Sequence, residues 1–148
     1  MSTQLAQLNV ARLVAPLEDP RLAAFVDGLD RINRLADAAP GFVWRLVEEG
    51  TDDATGLRPF GADVIVNLTV WESVEALADF TYRGDHLDYL RRRRDWFVPY
   101  GEVFSVAWWI PEGHRPSPDE AAARLELLRE NGPTSEAFTL RAPFPAMT

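Results

Sequence analysis

The feature that most constrains the fold is the run from Asp63 to Trp71, which predicts a β-strand with two different faces. Alternate residues form one aliphatic stripe and one stripe that mixes aliphatic, amide, hydroxyl and indole side chains. The aliphatic stripe contains Val64, Val66, Leu68 and Val70, and the mixed stripe contains Ile65, Asn67, Thr69 and Trp71. A solvated face would be polar throughout, so the mixed stripe predicts the wall of a mostly apolar cavity in which a few polar groups orient a ligand.

Two helical segments follow this strand. Ser73 predicts an N-cap, and the residues after it place apolar side chains at three-residue spacing, which is typical of an amphipathic helix. Residues 81–85 predict a break, and a second segment is expected from His86 to Trp96. The four arginines at 91–94 point all around such a helix, so they predict a solvated surface with local acidic partners rather than one basic face.

The order of the elements predicts an α+β fold of the ferredoxin-like β-α-β-β-α-β type, with an antiparallel sheet. The predicted strands are Leu5–Val14, Phe42–Glu48, Asp63–Trp71 and Val103–Ile110, and Asp19-Pro20 and Ser117-Pro118 predict the starts of two further helices. One domain spans 1–148, with a core at 4–111 and a C-terminal helix and tail at 112–148. We expect the helices on one face and Asn9 and Asn67 on the other, covered by a second copy of the sheet in a homodimeric α+β barrel.

The C-terminal tail is expected to be an extended arm. Gly132-Pro133 ends the last predicted helix, and residues 135–148 show no periodic pattern. Such a segment is ordered only where it lies across another surface, and a partner subunit is the surface we expect.

Composition excludes several classes of function. The chain has 148 residues and a net charge of −8, which argues against nucleic acid or an anionic membrane as a partner. It has no cysteine, so disulfides and thiolate chemistry are excluded, and no apolar run approaches the roughly 20 residues of a membrane helix. No signal peptide is apparent, so we expect a cytoplasmic protein.

Several segments resemble known proteins. Asn67-Leu68-Thr69-Val70-Trp71 and the residues after it resemble the strand-to-helix junction of the dimeric α+β barrel superfamily, which includes the antibiotic biosynthesis monooxygenases. A likeness over nearly the whole chain is to the DUF3291 family, carried by 94–97, 108–114, 120–125, 132–134 and 137–139, and by Tyr82 and His86 at a spacing of four. The resemblance implies the barrel fold. It implies no activity, because barrel relatives include cofactor-free oxygenases, haem-binding proteins, lyases, isomerases and non-catalytic proteins.

His86 is the first candidate for a catalytic residue. In haem-binding relatives a helix histidine near this position supplies the iron ligand, and in cofactor-free relatives polar cavity groups bind a phenol or enol. Imidazole suits either task, because it exchanges a proton near neutral pH. The alternative is a structural histidine that forms a hydrogen bond at the break around Gly84.

Asn67 and Trp71 are the next candidates for catalytic residues. They match, in type and spacing, positions that bind substrate in the cofactor-free monooxygenases of aromatic polyketides. An amide holds a carbonyl or oxyanion, and an indole NH adds a donor. Asn9 is expected on the same face as a substrate-binding residue. The alternative is a core tryptophan beside an asparagine whose amide forms hydrogen bonds with the backbone.

Four further residues are predicted to bind substrate. Trp44, Tyr82 and Trp109 would supply aromatic surface or a donor, and Arg45 would bind a carboxylate or a haem propionate, unless it is a surface residue. His114 lies in a Pro-Gly connector and is interpreted as a turn or tail-anchoring residue. The two histidines lack a nearby carboxylate pattern, so no metal site is predicted.

These observations predict an enzyme of small-molecule, or secondary, metabolism that needs no cofactor. Its substrate would be apolar and aromatic or polyketide-like, and it would act as a cofactor-independent monooxygenase or a related cyclase or isomerase. One alternative is a haem-binding barrel with His86 as the iron ligand. The other is a non-catalytic ligand-binding or stress-response barrel.

The haem alternative is tested by absorbance. If His86 ligates the iron, haemin added to the purified protein gives a sharp Soret band, and His86→Ala abolishes that band because the axial nitrogen is lost. A wild-type spectrum identical to that of free haemin would remove this alternative.

Overall fold

The computed structural model describes residues 2–82, 87 and 91–146, and these residues form an α+β fold with a five-stranded sheet. The strands are β1 (Thr3–Leu13), β2 (Phe42–Arg45), β3 (Val64–Trp71), β4 (Phe97–Val98) and β5 (Ser105–Pro111). The helices are α1 (Ala23–Asp37), α2 (Val74–Tyr82), α3 (Arg93–Trp96) and α4 (Pro118–Asn131), and a short 3-10 turn, Pro20–Leu22, precedes α1. No helix in these ranges is long and apolar enough to cross a membrane. The predicted fold class is confirmed.

β1 is the central strand of the sheet. β3 pairs with one edge of β1, β2 pairs with the far edge of β3, and β5 and β4 share the other edge of β1, so every pairing is antiparallel. The register places Asn9 directly opposite Asn67. Successive side chains alternate between faces, so this pairing puts both amides on one side of the sheet.

Local sequence signals mark where the 3-10 turn, α2 and α4 begin. The side chain of Asp19 accepts the backbone N–H of Arg21, and Ser117 does the same for Glu120, as the predicted N-caps require. Ser73 Oγ accepts from the backbone N–H of Ala76 at the start of α2. α2 extends through Tyr82, so the predicted break at 81–85 begins too early, and its remainder lies outside the described residues.

The aliphatic face of the sheet is buried within a single chain. The four aliphatic residues of β3 are each at most 7% exposed. They pack with the inward side chains of α4, Ala121, Leu125 and Leu128, and with loop residues that include Ala54, Leu57 and Phe60. The C-terminal helix and the 46–60 loop therefore seal this face, and burial of apolar surface of this kind is the main stabilising term in the fold.

The mixed face of β3 lies beneath α1 and α2, which corrects one prediction. Ile65 packs near Phe25 of α1, and Trp71 packs near Leu77 of α2. Asn9 and Asn67 therefore lie on the same side of the sheet as these helices, not on the opposite side. Asn67 is exposed in the single chain, so the helices leave it uncovered, and the homodimer itself stays a prediction.

β2 departs from simple alternation. Phe42 pairs with Trp71 and Trp44 pairs with Val70, so two steps along β2 correspond to one step along β3. The irregularity at this point is a β-bulge, which reverses the face on which the following side chains lie. Strict alternation along the predicted strand would put Phe42 and Trp44 on one face, but Phe42 joins the helix-facing side and Trp44 the aliphatic side.

The tail packs against its own chain. Phe138 exchanges two backbone hydrogen bonds with Ala107, of 2.7 and 2.9 Å, at the outer edge of β5, and its side chain is fully buried. The carbonyl of Phe144 accepts from the indole of Trp109 at 2.8 Å. The surface that orders the tail is thus the edge and helix-facing side of the same sheet, where we had expected a partner subunit.

Gly41 supplies a specific test of the fold. It has φ of +83°, and a Cβ placed there would lie 2.5 Å from the Cβ of Ala76 in α2. Gly41→Ala combines an unfavourable left-handed backbone with a clash, so we expect it to destabilise the protein by about 3 kcal/mol in urea unfolding.

Gly113 is the matched control for this test. It has φ of +88° but open space around the added carbon, so Gly113→Ala carries the backbone cost alone. We expect that cost to be about 1 kcal/mol. Equal destabilisation by the two alanine variants would contradict the close packing of Gly41 against Ala76 of α2.

Candidate functional site

The helix-facing side of the sheet carries five uncharged polar side chains between two apolar clusters. We call this set the polar interval: Gln7, Asn9, Asn67, Thr69 and Ser105. The register brings them together, because β1 pairs Gln7 with Thr69 and Asn9 with both Asn67 and Ser105. Residues opposite one another on one face have their Cβ atoms about 4.5–5.5 Å apart, so the set forms a single patch.

The cluster at one end of the polar interval is centred on Trp71. The rings of Phe42 and Phe80 lie with their centroids 5.3 Å from that of Trp71. Phe138 of the tail and Trp109 of β5, with centroids 6.3 Å apart, belong to the same cluster. Such aromatic pairs contribute beyond their buried area, so this end of the site is a rigid apolar wall.

The cluster at the other end is centred on Trp96 of α3. The ring of Phe25 in α1 lies 5.4 Å from that of Trp96 and 5.3 Å from that of Phe97. Ile65 of β3 packs into this cluster from the sheet. The polar interval is therefore flanked by aromatic packing at both ends, an arrangement in which an apolar ligand would meet polar groups only along its middle.

Hydrogen bonds fix the orientation of three members of the polar interval. Gln7 Nε2 donates to Asn9 Oδ1 at 3.0 Å and to Ser105 Oγ at 3.1 Å. Asn9 Nδ2 donates back to Gln7 Oε1 at 3.2 Å. Gln7 is only 7% exposed, so its amide needs these partners, because an unpaired buried amide costs about 1–3 kcal/mol.

Asn67 differs from its neighbours in being exposed. Among the described residues its side chain has no hydrogen-bond partner, and Asn9, which lies opposite, is half-buried. The predicted pair of amides is thus brought together by the fold, and the amide of Asn67 is available to a ligand.

Trp71 lies in the core, whereas the prediction made it a residue that contacts the substrate. It is 1% exposed, and its indole N–H donates to Thr69 Oγ1 at 2.9 Å. An indole donor that is buried and already bonded is not available to a substrate. Trp71 instead forms the floor of its aromatic cluster and holds the hydroxyl of Thr69 in place.

The other aromatic candidates are dispersed. Trp44 packs on the aliphatic side, with the guanidinium of Arg115 6.0 Å from its ring centroid, so it cannot line the polar interval. Trp109 is on the correct side but its indole is bonded to the tail. Tyr82, at the end of α2, is 48% exposed.

Arg45 is committed to ion pairs. Its Nε lies 2.8 Å from Asp37 at the end of α1, and its Nη2 lies 3.1 Å from Asp52 in the 46–60 loop. Hydrogen bonding to Asp37 raises the pKa of this guanidinium further above its ordinary value. Arg45 therefore ties the loop to α1, and the predicted role in binding a carboxylate or propionate does not fit its position.

The structure describes one of the two histidines, His114, and gives it an anchoring role. His114 Nε2 lies 2.6 Å from Glu120 Oε1, and the other carboxylate oxygen accepts from the indole of Trp108, so His114 anchors the connector to the start of α4. His86 lies outside the described residues. In the described ranges no group of three histidine and acidic side chains could hold a metal ion.

Two surface features lie outside the polar interval. In the arginine run, Arg92 has a local acidic partner of the predicted kind: it lies 3.3 Å from Asp95 and over the ring of Trp96. A cleft of about 390 Å³ is lined by Leu17, Glu18, Val26, Leu29, Asp30, Asp53 and Thr55. None of the predicted site residues lines this cleft.

Sequence reasoning missed Gln7 and Ser105 as parts of the site. The available signal was their position: Gln7 lies two residues before Asn9 and so shares its face, and Ser105 starts the strand that pairs with β1. Ser105 joins the site only because β5 pairs with β1, and the sequence of a single strand does not show which strand it pairs with.

The sequence matches the model of one protein family, described as a domain of unknown function, DUF3291, over residues 4–148. Among curated proteins no significant match is found.

Solved structures similar to this chain include Rv0793 from Mycobacterium tuberculosis, with 14% identity and a TM-score of 0.50, covering 77% of this chain and 99% of that one. A candidate antibiotic biosynthesis monooxygenase from Nitrosomonas europaea has 9% identity and a TM-score of 0.51, covering 79% and 97%. SnoaB, a cofactor-independent oxygenase from Streptomyces nogalater, has 17% identity and a TM-score of 0.46, covering 79% and 99%. At these identities the likeness establishes the fold alone.

The bond between Trp71 and Thr69 generates a stability prediction. Thr69→Val keeps the shape but removes the acceptor, which leaves a buried indole N–H unpaired, and we expect a loss of about 1–3 kcal/mol in urea unfolding. Thr69→Ser keeps the hydroxyl and loses one methyl group, so its cost should be about 1 kcal/mol or less. A serine variant that is as unstable as the valine variant would show that the hydrogen bond contributes little.

Proposed function

The chain belongs to the DUF3291 family, and we propose that it is an enzyme of small-molecule metabolism that acts on an aromatic or polyketide-like compound without a bound cofactor. The observation that carries this proposal is the position of Asn9 and Asn67. They lie directly opposite one another on the helix-facing side of the sheet, between two aromatic clusters.

The arrangement fits a flat aromatic substrate that carries an oxygen. Ring surface would lie against the apolar side chains at either end of the polar interval, and a carbonyl or phenol oxygen would meet the amides in its middle. Amide N–H groups that are fixed before the substrate arrives stabilise negative charge as it develops on that oxygen. The hydrogen bonds of Asn9 to Gln7 supply this fixation for one of the two amides.

The reaction we propose is oxygenation of an enolisable substrate. A base removes a proton from a carbon conjugated with the carbonyl, the amides stabilise the enolate oxygen, and the electron-rich carbon bonds to O₂ to form a peroxide. Protonation of that peroxide and loss of one water molecule then leave a new carbonyl. His86 remains the predicted base on the sequence argument alone, since imidazole accepts a proton near neutral pH. The same enolate would form in a cyclase, where an electrophilic carbon takes the place of O₂, or in an isomerase, where a proton returns to a different carbon.

A non-catalytic binding protein is the competing function. It would hold the same class of ligand in the same polar interval and release it unchanged. Product formation therefore separates the two functions, and binding does not.

The test uses 1,8-dihydroxy-9-anthrone as the probe. One molecule of anthrone and one of O₂ give one molecule of the anthraquinone and one of water, so oxygen uptake and quinone absorbance report the same event. We expect wild-type protein to accelerate this conversion over the buffer rate. Asn67→Ala should lower kcat/KM by about 10- to 100-fold, since it removes one donor to the developing oxyanion. His86→Ala should lower kcat.

Asn131→Ala is the matched control. Asn131 is an exposed amide at the end of α4, on the other side of the sheet, so its removal should leave the rate unchanged. Turnover of this probe that is unaffected by both Asn67→Ala and His86→Ala would refute the proposed site. A probe that binds at Asn67 and is recovered unoxidised would favour the non-catalytic function.

A further inference from the structure

We propose that Gln7 and Ser105 complete the site as a donor-rich cradle, and that the cradle selects ligands whose phenol or enol oxygen is bound as an anion. Gln7 is the positioning residue, and Ser105 is an additional binding residue. This inference rests on the proposed function and names the charge state of the substrate in that site.

The first step is an inventory of the hydrogen bonds of Gln7. Both N–H groups of its amide are used, one by Asn9 Oδ1 and one by Ser105 Oγ. Its carbonyl accepts from Asn9 Nδ2. Gln7 is nearly buried and thus presents nothing to a ligand, so its effect acts through the two residues that it holds.

The second step identifies the hydrogen-bond donors that Asn9 and Ser105 still have free. Asn9 uses its carbonyl and one N–H on Gln7, and its second N–H remains. Ser105 Oγ accepts from Gln7, which leaves its hydroxyl hydrogen free to donate. The exposed amide of Asn67 adds two more N–H groups beside them. Gln7 thus turns both of its neighbours into donors.

The third step concerns charge. None of the five side chains of the polar interval is ionisable, so no carboxylate within it repels an anionic oxygen. Hydrogen bonds from neutral donors are stronger to a charged oxygen than to a neutral one, roughly twice as strong. The cradle therefore binds the phenolate form of a ligand more tightly than the phenol form, and lowers the pKa of the bound phenol.

The substitution Gln7→Glu reverses this arrangement with little change in size. A carboxylate has no N–H, so Ser105 would donate to it and lose its free hydrogen, and a negative charge would lie beside the ligand. Both effects disfavour the bound phenolate. Gln4→Glu is the matched control, since Gln4 lies on the same strand but on the aliphatic side, where its carbonyl accepts from Gly113.

The experiment measures the ionisation of a bound dye. The probe is 4-nitro-1-naphthol, a two-ring phenol whose ionised form absorbs in the visible range, titrated with each variant across a range of pH. We expect wild-type protein and Gln4→Glu to lower the pKa of the bound dye by about one unit, which corresponds to about tenfold tighter binding of the phenolate. Gln7→Glu should return that pKa to the value of the free dye or above.

Ser105→Ala provides a second variant that does not depend on how well Gln7→Glu folds. It removes one donor and should raise the pKa of the bound dye part of the way towards the free value. Urea unfolding of each variant shows whether the fold is retained, and a purely structural role for Gln7 would change stability without changing the dye's pKa.

The outcomes separate the two proposals. Dye that binds with an unchanged pKa, or with a lowered pKa that neither Gln7→Glu nor Ser105→Ala alters, overturns the donor-rich cradle and leaves the site in place, provided that Asn67→Ala weakens binding. Dye that fails to bind, or binds equally well to Asn67→Ala, overturns the site itself and with it the proposed function.

Discussion

The structure depends on the contrast between the two faces of β3. Its aliphatic stripe has to be removed from water, and the burial of all four of its side chains requires two separate covers, α4 and the 46–60 loop. Its mixed stripe imposes the opposite arrangement on the other side. Apolar residues at each end of that stripe attract the helices, and polar residues in its middle keep the two clusters apart.

The polar interval lowers the stability of the fold compared with apolar residues at the same positions. Gln7 and Thr69 are each 7% exposed, and a valine or leucine at either position would continue the apolar packing on this side of the sheet. The chain instead satisfies Gln7 through Asn9 and Ser105, and Thr69 through Trp71. Local rules of core packing are broken mainly at functional sites, which is why this patch and not the cleft beside α1 supports the proposed function.

Much of the fold was predictable because its signals are local. Asp19 and Ser117 mark helix starts through their own hydrogen bonds, and the period of two along β3 identifies both of its stripes. The predictions that failed depend on contacts distant in sequence. Alternation within β3 cannot tell which face receives α1 and α2, since α4, which covers the other face, begins more than 40 residues further along the chain.

Predictions about single residues of the site do not hold for similar reasons. Trp44 was placed on the wrong side because one bulge after Phe42 inverts every later position of β2, and composition carries no mark of it. Arg45 and Trp71 have the residue types of a binding site, yet Asp37, Asp52 and Thr69 already occupy their polar atoms. Residue type predicts what a side chain is able to bind, and only the register and the neighbours determine whether its donors are free.

The closure of the sheet by its own chain determines where a ligand has to bind. α4 and the loop seal the aliphatic side, and the tail extends the edge of β5 and covers Trp109 at one end of the helix-facing side. Between the two aromatic clusters the polar interval keeps accessible groups, since Asn67 is exposed and Asn9 and Ser105 are half-buried. The described part of that region is built by β1, β3 and β5, so the register of these three strands sets the spacing of its donors.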